Sequence, residues 1–111
     1  MVYSTPALPS FPLYADIFYE GLEESIKRTQ SELKEGQQLI LCYYDQAGRL
    51  IFVEDIGYSN PFLIILFGKD TEGNKCNVFL HMAAVQLVAK IVSSTEKNKP
   101  RPLGFLGEVK T

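Results

Sequence analysis

The sequence predicts a mainly β fold led by one N-terminal α-helix, and three features carry that expectation. Apolar residues recur at helical spacing up to Glu35, and the period falls to two after Gly36. From Gln38 to Val92, short runs rich in β-branched and aromatic residues alternate with Gly- and Asp-bearing turns.

Residues 1–13 form a Pro-rich arm. Pro6, Pro9 and Pro12 deny it helix, while Tyr3, Leu8 and Phe11 make it apolar enough to pack on its own domain or to clasp a neighbouring subunit. Helix is predicted over 14–35, where Tyr14, Ile17, Phe18, Leu22, Ile26 and Leu33 share a stripe and charged residues take the other faces. Gly36 is placed to end it in the left-handed region. Gly21 costs about 1 kcal/mol relative to Ala inside a helix, so it marks a break or a close approach to the sheet.

The β core spans 38–92. Strands are expected at 38–45 and 49–56 around an Asp45-Gln46-Ala47-Gly48 hairpin loop, with Gly48 at positive φ. Phe62 to Phe67 is apolar at every position, so this third strand should be covered on both faces, by the helix or a closed barrel on one side and a partner on the other. Gly57 to Pro61 and Lys69 to Asn74 are the flanking breakers. Cys76 to Val92 fits both templates. The two-strand reading, with a tight Met82-Ala83-Ala84 corner, is preferred because no capping or breaking residue lies between Val78 and Ile91. A helix over 82–92 is the alternative, giving an α+β fold of helix, four-stranded antiparallel sheet and helix. Residues 93–111 are a basic and apolar C-terminal tail whose end, Leu103 to Val109, should dock back on the domain.

A helix followed by five short strands, with only a tight corner between the last two, resembles the Sm-like small β-barrels over residues 14–92. Gly48 stands where those domains turn from first strand to second, and Asp55-Ile56-Gly57-Tyr58-Ser59-Asn60 is similar to the Asp and Asn that end their second strand. Val78-Phe79-Leu80-His81 before Met82-Ala83-Ala84-Val85 is similar to the Tyr-Lys-His corner of the family's bacterial RNA chaperones. The Asp-to-Asn spacing is one residue longer here, Pro61 follows the Asn, Leu80 takes the lysine position and the corner has an extra residue. The resemblance implies a small antiparallel five-stranded barrel of Sm/SH3-like kind, a homo-oligomer and a single-stranded RNA partner.

At 111 residues the chain has the length of one domain, and a hydrophobic share of 46% suffices for a core. Net charge is −2, so no global basic field points to nucleic acid. Residues 1–60 carry four basic against nine acidic side chains, and residues 61–111 carry seven against four. Such polarity suits head-to-tail assembly or a locally basic tail. Cys42 and Cys76 sit in apolar runs without a close-spaced partner, as core thiols of a reducing compartment do. With no basic residue or long apolar run in Met1 to Leu13, and no stretch long enough to span a bilayer, the expected location is cytoplasmic, without a membrane partner.

His81 is the only histidine, and on a strand it points away from Cys76, which disfavours a Cys/His nucleophile pair. Three His and Cys residues, dispersed, make no structural zinc site, and Asp45 and Asp70 fit their own turns without calcium. No phosphate-binding glycine motif occurs, so no catalytic residue, metal or cofactor is predicted. The expected function is a non-catalytic, self-associating binding or assembly module. The resemblance adds RNA, with Tyr58, Asn60, His81, Lys97, Lys99 and Arg101 as its candidate contacts, and Tyr43 and Tyr44 as further stacking aromatics. The alternative is a small-molecule-binding α+β domain, or a small enzyme using His81 with a carboxylate.

Overall fold

A computed structural model of the chain describes residues 14–93 and 102–110. Helix α1 spans Ala15–Ser31 and leads into β1 (Gln37–Tyr44), β2 (Leu50–Ser59), β3 (Leu63–Asp70) and β4 (Lys75–His81). A 3-10 turn, Met82–Ala84, then joins β4 to β5 (Leu87–Ser93), and β6 (Gly104–Glu108) follows. The arm at 1–13 and the basic residues Lys97, Lys99 and Arg101 lie outside the described residues.

The helix stops at Ser31, short of the expected Glu35. Its last turn tightens as the Glu32 and Leu33 amides bond the carbonyls of Thr29 and Gln30, three residues back. Gly36, at φ 78°, serves the connection into β1 instead of the helix end. Gly21 neither breaks the helix nor approaches the sheet: a Cβ there would meet nothing within 4 Å. Gly21→Ala should therefore raise unfolding free energy by up to about 1 kcal/mol, read as a higher urea midpoint at unchanged slope. A lower midpoint would mean that the glycine is needed for a contact the helix face does not show.

The five strands run antiparallel in the order β4-β3-β2-β1-β5, and β6 pairs with β2 in parallel. Residues 82–92 are corner and strand, not helix, which sets aside the α+β alternative. The mainly β architecture with its leading helix is as expected, but the sheet does not close into a barrel. Closure would need β4 to meet β5. The single 3-10 turn instead sends β5 across to β1, leaving β4 and β5 at opposite ends of the strand order. The long strand β2 divides its partners. Leu50, Ile51 and Phe52 pair with β1, and a bulge follows between Val53 and Asp55. Beyond it, Asp55 to Tyr58 pair with β6.

One face of this sheet and one face of α1 make the core. Ala15, Tyr19 and Ile26 on the helix pack in a cluster with Leu41, Ile56, Ile64 and Leu66. Cross-strand rows Tyr58, Ile64, Leu80 and Ile56, Leu66, Val78 put these side chains on a common side. Strand β3 is covered on both faces, as its unbroken apolar run demands, since Ile64, Ile65 and Leu66 are all buried. The second face needs no partner. Ile65 lies opposite Gly57, and a Cβ on Gly57 would strike Val109 Cγ2, so the chain's own C-terminal end lies over that spot.

Cys42 on β1 and Cys76 on β4 are free thiols with two strands between them, so they cannot bridge in this fold. Burial pushes the Cys42 thiol up from its ordinary value, against a smaller pull from Lys90. Both turn aspartates behave as expected. Asp45 accepts hydrogen bonds from the Ala47 and Arg49 amides and from Arg49 Nε, and the Arg49 amide foremost holds its carboxyl below the usual range. Asp70 likewise accepts from the Glu72 and Asn74 amides. No described helix is long and apolar enough to cross a membrane.

Candidate functional site

Two features of the sheet gather surface chemistry: its two free edges, and the aromatic corner beside one of them. Strand β4 pairs only with β3, and β5 only with β1; among the described strands nothing covers the outer edge of either. Each edge strand is seven residues long. Phe79 on β4 is 60% exposed, and Val88 and Ile91 on β5 are 43% and 52% exposed. Such edges are templates for another strand unless charge or curvature blunts them. Lys75 and Lys90 do carry charge at the edges, but Lys90 is drawn inward over the Tyr44 ring, 5.5 Å from its centroid.

The corner is built on His81. Its Nδ1 accepts the Ala83 amide at 3.0 Å and so caps the 3-10 turn. The Met82 amide bonds the Phe62 carbonyl at 2.7 Å, tying the turn to the start of β3. The Phe62 ring stacks on His81 with centroids 5.4 Å apart, and Tyr14 adjoins Phe62 at 6.5 Å. Phe62 and Tyr14 are both exposed, so the corner offers a wet aromatic surface. Among the described residues no carboxylate forms an ion pair with His81. Nor do any three His, Cys, Asp or Glu among them gather as a metal site would require.

Among the candidates that are described, Asn60 and Tyr58 have structural tasks. Asn60 Oδ1 accepts the Asp16 amide at 3.2 Å and the Pro61 carbonyl accepts that of Ala15 at 2.7 Å, so the β2–β3 turn caps α1. Tyr58 packs on Tyr19 at 5.0 Å, and its carbonyl accepts the Val109 amide. Desolvation raises the Tyr58 phenol, and Glu108, Asp16 and Glu20 raise it further, which marks acidic surroundings unfavourable to phosphate. Tyr43 is buried and Tyr44 is half exposed beneath Lys90. Tyr58, Asn60 and His81 do share one end of the sheet, but Tyr58 belongs to the core row with Leu80 while His81 projects from the other face. Phe62 and Tyr14 were not among the candidates. No local pattern pointed to them, because they meet only where the β2–β3 turn folds onto the start of α1. No protein-family model, curated protein or solved structure matches this chain.

Proposed function

We propose that the chain is a non-catalytic assembly module that associates with copies of itself through the free edges of β4 and β5. The observation that carries this is the pair of seven-residue edge strands that no other described strand covers, each with exposed large apolar side chains. Because the two edges differ, pairing β4 of one copy with β5 of the next is heterologous and continues into a ring or a filament. Like-with-like pairing would give twofold contacts. The cytoplasm is the proposed setting, in keeping with two unpaired thiols.

The test is mass in solution by light scattering. At micromolar concentration the parent should be a multimer, and Phe79→Asp and Ile91→Asp should each yield smaller species. Mixed together, those two variants retain one intact β4 and one intact β5 between them and should form a dimer. A monomeric parent would overturn the proposal. A variant that stays dimeric on its own, through its one intact edge, would replace the heterologous geometry with the twofold one, and a mixture that stays monomeric would overturn the pairing of β4 with β5.

A second reading, single-stranded RNA, draws on the exposed Phe62–His81 stack together with Lys97, Lys99 and Arg101. It requires binding at about 50 mM salt that weakens by orders of magnitude at about 200 mM and on replacing the three basic residues by Ala. No binding by the parent at the lower salt removes it.

A further inference from the structure

Strands β1 and β2 pair only where Cys42, Tyr43 and Tyr44 face Phe52, Ile51 and Leu50. From Gln37 to Leu41, β1 pairs with β5 alone among the described strands. A strand directs the N–H and C=O groups of alternate residues to opposite sides. Within Gln38 to Leu41, one alternate set therefore faces the side from which β2 has withdrawn. The strands part because β2 bulges after Val53 and turns to β6.

The wedge between them is a cavity of about 440 Å³, inside the range of small-molecule sites, about 300–1,000 Å³. Leu39, Leu41, Phe52, Val53 and Leu103 give it apolar walls. Gln38 lines it as well, and its Oε1 is shielded from bulk water with no hydrogen-bond partner. A desolvated acceptor left unpaired is a cost that a ligand donor would remove. The charged residues described in the lining, Lys69, Glu54 and Asp70, are of both signs, so the lining is not that of a site built for one kind of ion. None of the lining belongs to β4 or β5.

We propose that this wedge is a binding site for a small, uncharged, largely apolar molecule bearing one N–H or O–H donor. The apolar body fills the space between Leu39, Leu41 and Val53. The donor meets the Gln38 carboxamide, which turns about its last torsion to present its oxygen. The site is independent of self-association, since it uses the splayed interior of the sheet and not its edges.

The probe is N-phenyl-1-naphthylamine, which carries one N–H and fluoresces in apolar surroundings. The parent should bind it saturably. Leu39→Trp and Thr71→Trp, which fill the wedge from opposite sides, should each weaken binding by about tenfold or more. Phe79→Asp, on the far edge of the sheet, should leave it unchanged. The N-methyl derivative, lacking the donor, should bind the parent several-fold more weakly. Gln38→Leu should bind both probes alike and melt a few degrees higher, having lost its unpaired oxygen. Circular dichroism melts identify any variant that has lost its fold. Absence of saturable binding by the parent would overturn the site, as would loss confined to Phe79→Asp, and equal binding of the two probes by the parent would overturn the role of Gln38.

Discussion

Gly68→Ala is expected to lower stability by about 3 kcal/mol or more, at or beyond the upper end of the usual overpacking cost. A Cβ on Gly68 would collide with the Phe52 carbonyl oxygen and come within 2.9 Å of the Phe52 carbonyl carbon and 3.1 Å of Val53 Cα. All three are backbone atoms of the strand next door, so no side chain can swing aside to relieve the contact. The collision falls where β2 is about to bulge, since Gly68 pairs with Val53 and the register shifts between Val53 and Asp55. Chemical denaturation should show the loss as a lower midpoint, against the rise expected of Gly21→Ala. An unchanged midpoint would mean that β2 can shift there without cost, and that its bend is not fixed by this glycine.

Leu66→Ala should cost about 2–5 kcal/mol, the range for truncating a fully buried aliphatic side chain where neighbours collapse only partly. Leu66 is 0% exposed and stands in a cross-strand row between Ile56 and Val78. Domains of this size are stable by only about 5–15 kcal/mol in total, so the variant should unfold well below the parent's midpoint. Phe79→Ala is its counterpart. Its ring is mostly in water, and its loss should move the denaturation of isolated chains by no more than about 0.5 kcal/mol. Any larger effect of Phe79→Ala should appear only as the protein concentration rises, because it then reports association.

Most of the sheet was legible because its strands are short and their ends are chemical. Asp45 with Gly48, and Asp70 with Gly73, mark turns by the residues those turns need, and both glycines take positive φ. The absence of Gly, Pro, Ser, Thr, Asp and Asn between Val78 and Ile91 argued for two strands around Met82–Ala84, as found, although His81 does cap the short turn between them. Periodicity could not place the helix end, since Leu33 continues the apolar stripe although the backbone has already left it at Ser31. Nor could it show that β2 changes partners midway. That division depends on a bulge at Glu54, which leaves no local pattern, and on β6, whose apolar run Leu103 to Val109 was expected to dock back but did not say that it would pair with β2. The free edges and the wedge at Gln38 follow from this pairing, which is why neither was visible in composition or spacing. His81 stood out as the lone histidine, but the stack that Phe62 makes with it depends on the register of β3 against β4.

The parallel pairing of β6 with β2 has a kinetic meaning. Ile56 must wait for Phe105, and Leu39 for Ile91, so the contacts that finish the sheet join residues about fifty positions apart. Chains dominated by such distant pairings fold on the slow side, in milliseconds to seconds, because the entropy of closing long loops is lost before the contacts reward it. During synthesis, α1 and the β1–β2 hairpin can form early, but the β2 edge from Asp55 to Tyr58 stays bare until residues 104–108 have emerged. A ribosome paused before that point would hold out a sheet with a third open edge, and the nascent protein would then be most exposed to premature pairing with its neighbours.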